Sequence, residues 1–171
     1  MLRIICDLDA TIIDTKERMS KIERKYGIDN WPIEAVEEFV EPKKIASDKL
    51  IEDGIDIIFK LIEKYNAVLY FSTGRSEIAR KCTLDFLNNK LIKIINKIGK
   101  IPNDKLFMRS NSSPHMKPEE IKENNFLILQ TYFNNKDILL FFDDDPSCVK
   151  MYSKYGLSFK ATECWNYLEI Q

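Results

Sequence analysis

Asp7 and Asp9 stand two residues apart, with Thr11 two further on, directly after the apolar run of residues 2–6. Where a strand ends, residues i and i+2 share a face. Both carboxylates are therefore expected to face the space beyond the strand's carboxyl edge, where open α/β sheets bind ligands. Two carboxylates held close repel, a cost tolerated where a divalent cation lies between them. A carboxylate so placed can also attack phosphorus and carry an aspartyl-phosphate. Three further segments carry matching chemistry. Thr73-Gly74-Arg75 follows the apolar run 67–72, and its hydroxyl and nearby N–H groups suit a phosphoryl oxygen, with Arg75 adding a bidentate grip. Lys117 stands at an expected helix start, where a cation beside a carboxylate nucleophile lowers repulsion against an incoming phosphate dianion. Asp143 and Asp144 follow the run 138–142 and are suited to completing an oxygen-ligand Mg²⁺ site.

The elements that must position these groups follow from periodicity. Residues 2–6, 67–72, 106–108 and 138–142 read as short buried strands, with a last strand near 158–161. Helical spacing predicts helices from Thr15 to Tyr26, from Trp31-Pro32 to about Phe39, and near Ser47 to Tyr65, with Gly54 marking an interruption in the last. Further helices are predicted over Ser76 to Leu87, with Ile78, Cys82 and Phe86 on one face, then Leu91 to Ile98, Lys117 to about Phe133, and Ser147 to Tyr155. Alternating strands and helices predict a parallel, doubly wound α/β sheet in a single domain over 1–171. Residues 12–66 separate the first two strands by far more than a crossover needs, and the excess reads as a small helical cap over the site. Trp31 and Phe39 read as packing within that cap, and His115 as a surface loop residue.

The totals set outer bounds. The 171 residues carry 26 basic and 27 acidic side chains, a net charge of −1 that implies no polyanion partner by itself. The four cysteines, Cys6, Cys82, Cys148 and Cys164, form no CxxC and no paired framework, which points to reduced thiols and a cytoplasmic setting. The apolar runs are too short for a signal peptide or a membrane span, and no GxxxxGK[ST] loop is present.

The order DxDxT, Thr-Gly-Arg, Lys, Asp-Asp resembles the haloacid dehalogenase (HAD) superfamily of phosphohydrolases, and the four segments cover most of the chain. Phe107-Met108-Arg109, then Lys117 and Lys122 five residues apart, then Asp143-Asp144 with Val149 and Met151-Tyr152 after it, are similar to the 3′-phosphatase domain of bacteriophage polynucleotide kinases. Arg18, nine residues after Asp9, also matches a functional arginine of that family.

The resemblance implies a Rossmann-like core and an Mg²⁺-dependent phosphomonoesterase. Asp7 would attack phosphorus in line, and Asp9 would protonate the leaving alcohol and then activate water. Thr73 and Lys117 would hold the phosphoryl group, with Thr11, Gly74 and Arg75 contacting substrate. Mg²⁺ would be bound by Asp7, the Asp9 carbonyl, and Asp143 or Asp144. Lys117 is preferred to Lys122 as the cation of the site, and Asp145 reads as a helix cap before Pro146. The implied substrate is a phosphorylated nucleotide or polynucleotide end, with a sugar phosphate or other small ester as the second choice. A binding module on the same scaffold is a third reading, and the intact Asp7, Asp9, Thr73, Lys117 and Asp144 argue against it. Ala10 stands where the family usually has glycine, and a positive φ there would strain an alanine. Ser113 stands four residues before Lys117, where the phage enzymes tend to carry an acid.

Overall fold

In the computed structural model, which describes residues 1–27, 31–112 and 116–165, the chain is built outward from β1 (Leu2–Cys6). Between it and β4 (Val68–Ser76) lie β2 (Ile13–Asp14), α1 (Lys16–Tyr26), α2 (Ile33–Phe39), α3 (Pro42–Ser47), β3 (Lys49–Leu50) and α4 (Glu52–Tyr65). The rest comprises α5 (Arg80–Lys90), α6 (Ile92–Ile98), β5 (Leu106–Arg109), α7 (Pro118–Leu129), β6 (Ile138–Asp143), α8 (Pro146–Tyr152), β7 (Leu157–Lys160) and α9 (Ala161–Cys164). Ser113 and His115, each given a reading above, lie outside the described residues.

Five strands pair in parallel in the order β5-β4-β1-β6-β7. From β1 the chain builds β4 and β5 on one side, then returns to build β6 and β7 on the other. That reversal opens a crevice beyond the carboxyl end of β1, the place where doubly wound sheets bind ligands. The expected α/β architecture is therefore present, with a long helical segment inserted after β1.

Alternation along β1 sorts its side chains between two cores. Ile4 and Cys6 pack into one cluster with Ile58, Ile62 and Leu87, whereas Ile5 joins Phe126, Phe141 and Tyr152 on the opposite face. Asp7, next in phase with Ile5, is thereby aimed at the α7 side. On α7 the buried residues Lys122, Phe126 and Leu129 recur at i, i+4 and i+7 and face the sheet. Trp31 and Phe39 do pack together, with ring centroids 5.4 Å apart. None of the described helices is long and apolar enough to cross a membrane. All four cysteines are free thiols.

Local departures from the sequence reading have identifiable causes. Pro42 opens a helix of its own, α3, and the helix expected from Ser47 begins only at Glu52. Between the two, Lys49-Leu50 pairs antiparallel with Ile13-Asp14, and Ile51 N–H donates to Ile12 O at 2.9 Å. A ribbon of two-residue strands has no periodicity to read. Strand β4 runs on through Ser76, whose hydroxyl accepts from Ile78 N–H and starts a 3₁₀ turn (Glu77–Ala79). The turn shifts the helical phase, so of the expected face Phe86 is buried and Cys82 partly so, whereas Ile78 is exposed and α5 buries Thr83 and Leu87 beside Phe86.

Gly54 does not interrupt α4; it lies within the helix, where an added Cβ would come within 2.9 Å of Trp165 Cε2 and Nε1. Trp165 Nε1–H in turn donates to Thr11 O at 2.9 Å, tying the end of the described chain to the loop after β1. Gly54→Ala sets a helix-propensity gain of about 1 kcal/mol against an overpacking cost of about 1–3 kcal/mol. Net destabilisation is expected, read as a lower urea midpoint followed by tryptophan fluorescence. A variant as stable as the parent would show that this contact does not constrain the fold.

Candidate active site

The loop after β1 is a tight turn. The N–H groups of Ile12 and Ile13 both donate to Leu8 O, at 3.0 and 2.9 Å, and Ala10 N–H donates to Ile13 O at 2.8 Å. Ala10 adopts the positive φ that its position threatened, +56°. For a residue with a Cβ this costs about 1–2 kcal/mol, and the turn's hydrogen bonds hold it there. The turn leaves Asp7 buried at the end of β1 and Asp9 partly exposed beside it.

Asp143 ends β6, the other neighbour of β1, and Asp144 follows it. One carboxylate oxygen from each of Asp7, Asp143 and Asp144 lies within 4.8 Å of the other two. Thr11 sits beneath them, its hydroxyl 3.4 Å from both Asp7 Oδ2 and Asp144 Oδ1. With a single proton to donate, it serves one carboxylate at a time and lines the acid cluster. Asp145 is the cap expected of it, accepting from Ser147 N–H at 2.8 Å and opening α8.

The cation of this cluster is Lys122. Its Nζ lies 2.7 Å from Asp143 Oδ2 and 3.0 Å from Asp7 Oδ1, and the side chain is buried. Lys117, the residue preferred from sequence, is instead the exposed residue at the start of α7, where its backbone N–H donates to Glu120 Oε2 at 3.1 Å. The physical reason is helical phase. Phe126 marks the buried face of α7, Lys122 is one turn before it, and Lys117 is nine residues before it, about half a turn out of phase. The five-residue spacing of the two lysines concealed this; the spacing of Lys122 to Phe126 and Leu129 would have found it.

Arg75 is also placed differently from expectation. Its side chain is 1% exposed, and its bidentate grip falls on Asp9, with Nε 2.8 Å from Oδ2 and Nη2 2.6 Å from Oδ1. Arg18 Nη2 adds a longer contact to Asp9 Oδ1 at 3.4 Å and a short one to Asp48 Oδ2 at 2.7 Å. Arg18 also donates to Phe39 O and stacks over the Phe39 ring, which joins the site to the inserted helices. Asp48 carried no signal in the sequence.

Thr73 is fully buried near the end of β4, and its hydroxyl accepts from Arg75 N–H at 3.2 Å. Gly74 O accepts from Arg109 Nε at 3.0 Å, and Arg109 also holds Met116 O at 2.8 Å, bracing this strand against the approach to α7.

Burial dominates the electrostatics of the acids. It pushes Asp7 up to about 7, with Asp143 and Asp9 reinforcing the shift and Lys122 opposing it. Burial and the charge of Asp7 push Asp144 up to about 6, and burial also raises Asp143 against the pull of Lys122. Burial would raise Asp9 too, but the Arg75 and Arg18 guanidiniums outweigh it and hold that carboxyl below the usual range. Lys122, which burial alone would lower, is driven well above the ordinary lysine value by Asp7 and Asp143. An all-oxygen donor set whose members repel one another fits a hard divalent cation.

No family model matches the chain, and no curated protein matches it. Solved structures do share its fold. One is a chain of a Pnkp1/Rnl/Hen1 complex, 20% identical, with a TM-score of 0.60 over 93% of this chain and 45% of that one. Another is an archaeal β-phosphoglucomutase from the hyperthermophilic Pyrococcus sp. strain ST 04, 13% identical, with a TM-score of 0.52 over 92% of this chain and 85% of that one. The chain thus spans less than half the length of the first. At these identities the likeness is one of fold, a parallel α/β core with helical insertions.

The raised acids set a pH dependence. Asp7 at about 7, with Asp144 and Asp48 at about 6, means that the folded protein binds more protons than the unfolded chain above the ordinary carboxylate range. Stability of the metal-free protein is therefore expected to fall as pH rises from about 4 to about 7. A divalent cation held by Asp7 and Asp144 needs them ionised, so its effect should grow over the same window. At about one hundred times its dissociation constant, Mg²⁺ should raise the melting temperature by about 5–10 °C at pH 7.5 and by much less at pH 5. Differential scanning fluorimetry with and without Mg²⁺ measures both trends. Stability that rises through this window and ignores the cation would count against a shared metal site.

Proposed function

We propose that the protein is a Mg²⁺-dependent phosphomonoesterase that works through an aspartyl-phosphate on Asp7. The observation that carries this reading is the gathering of Asp7, Asp143 and Asp144 at the carboxyl ends of β1 and β6, with the Lys122 ammonium paired to Asp7 and Asp143. In the first step an Asp7 oxygen bonds to phosphorus and the phosphorus–alcohol bond breaks, with Asp9 giving the leaving oxygen a proton. In the second, Asp9 takes a proton from water, the water oxygen bonds to phosphorus, and the acyl phosphate bond breaks to release inorganic phosphate. Lys122 neutralises charge next to the attacking carboxylate, and the Thr73 hydroxyl and neighbouring N–H groups hold phosphoryl oxygens. The Asp7, Asp143 and Asp144 carboxylates would hold Mg²⁺, which supplies charge neutralisation and alignment of the phosphoryl group. Residues 12–66 serve in this reading as the cap of a single catalytic domain over 1–171.

The favoured substrate is a nucleic-acid 3′-phosphate or a nucleotide. Its support is the similarity of the Phe107-Met108-Arg109, Lys122 and Asp143-Asp144 pattern to phage 3′-phosphatase domains. A sugar phosphate is the second reading, favoured by the fold likeness to a β-phosphoglucomutase and by a cavity beside the inserted helices that no aromatic ring among the described residues lines.

Phosphate release should be measured with Mg²⁺ from 3′- and 5′-phosphorylated oligonucleotides, 3′- and 5′-mononucleotides and several sugar phosphates. Activity is expected on a 3′-phosphate, lost on EDTA treatment and in Asp7→Asn. Lys122→Ala should lower kcat/KM by about 10²–10³-fold, whereas Lys117→Ala should stay within about threefold of the parent. Preference for sugar phosphates would overturn the substrate choice alone. Full activity in Asp7→Asn would overturn the mechanism.

A further inference from the structure

Asp9 shares its arginines with a second acid. Arg75 Nη2 lies 2.6 Å from Asp9 Oδ1 and 3.4 Å from Asp48 Oδ2, whereas Arg18 Nη2 lies 2.7 Å from Asp48 Oδ2 and 3.4 Å from Asp9 Oδ1. Two cations and two carboxylates thus alternate, each arginine close to one acid and farther from the other. The group is enclosed: the side chains of Arg75, Asp48 and Arg18 are 1%, 6% and 8% exposed. In such a place a hydrogen bond released by one acid passes to the other acid rather than to water.

Arg18 also has reason and room to shift. Its Nε is buried with no hydrogen-bond partner among the described residues. Arg18 and Asp48 border a cavity of about 270 Å³ with Ile22, Lys44 and Lys49. Asp48 belongs to the inserted segment, between α3 and β3, so it brings that segment into direct contact with the ion pair behind Asp9.

We propose that Asp48 is a positioning residue for the reaction at Asp7: it competes with Asp9 for the two guanidinium groups and so limits their hold on Asp9, which must loosen for Asp9 to reach the leaving group. The inference rests on the phosphomonoesterase reading, in which Asp9 protonates the departing alcohol. Arg75 holds Asp9 at both oxygens, at 2.8 and 2.6 Å, so the strength of that hold decides how readily Asp9 turns to the leaving group. With Asp48 drawing on Nη2 of each arginine, the grip on Asp9 Oδ1 is divided. Asp48→Asn substitutes a neutral and weaker acceptor, and Asp9 then bears the full attraction of both cations.

The test compares two esters. An alkyl phosphomonoester leaves as an alkoxide that needs a proton from Asp9, whereas p-nitrophenyl phosphate leaves as a stable phenolate that does not. Asp48→Asn is expected to lower kcat/KM for the alkyl ester by about 10–100-fold and for p-nitrophenyl phosphate by less than about threefold, with Asp48→Glu restoring part of the loss. Equal losses on both esters would reduce Asp48 to a structural role and overturn the proposal, as would no loss on either. Should thermal melting show that Asp48→Asn does not fold, Asp48→Ser, which also removes the competing charge, carries the same comparison. The same split there supports the proposal and its absence overturns it. A parent protein silent on both esters overturns the phosphomonoesterase reading itself, and the inference with it.

Discussion

The structure depends on a buried ammonium held between carboxylates. Lys122 sits 3.0 Å from Asp7 and 2.7 Å from Asp143, almost out of reach of water. A buried ion pair is a weak source of stability, because desolvating the charges costs about as much as their attraction returns. Here the balance is less favourable still: three clustered acids face one lysine, and when ionised they leave a net negative charge. Such an arrangement makes sense for placing charge, and its residual negative potential would favour a divalent cation. The fold is arranged to deliver it. Neighbouring strands β1 and β6 end on Asp7 and Asp143, and α7 crosses the same face with Lys122 in line with Phe126 and Leu129.

Much of this was legible in the sequence because one rule, an apolar run ending in chemically loaded residues, locates strand ends in a doubly wound sheet. The run ending at Asp7 and the run ending at Asp143 both obeyed it, and so the sheet and its acidic rim were readable together. What failed was legible only through phase or through tertiary contact. Lys117 and Lys122 differ by the face of α7 on which they fall, a distinction that a helix start signal at Pro118 obscures. Arg75 had the right chemistry for a phosphate, yet its partner is a carboxylate brought from sixty-six residues away by the sheet. Asp48 has no local pattern at all. It gains meaning only when the Lys49-Leu50 ribbon pairs with Ile13-Asp14 and turns the preceding residue inward.

Inserted segment and sheet are joined at the site itself. Arg18 reaches from α1 to Asp9, Asp48 and Phe39 O, and Trp165 reaches from the far end of the described chain to Thr11 O while packing on Gly54. Both ties converge on the loop of Asp9 to Ile13, whose turn is strained at Ala10. A strained residue persists only where its surroundings over-determine it, and here hydrogen bonds from within the turn, an indole from one side and two guanidiniums from the other supply that determination.

Asp7 and Asp9, two residues apart, meet opposite environments, and the opposition runs against their proposed roles. A nucleophile should be ionised, yet burial among like charges raises Asp7; an acid should hold its proton, yet Arg75 and Arg18 keep Asp9 ionised. Each inversion would be relieved by a ligand of the proposed reaction. A cation held by Asp7, Asp143 and Asp144 would favour ionised Asp7, since bound cations reverse the local logic of acid strength. A phosphate dianion beside Asp9 would oppose its ionisation and offer the guanidiniums a competing anion. On these roles the resting protein is poised against its own reaction until cation and phosphate are both in place. The carboxylates then acquire their working protonation states from the ligands they serve.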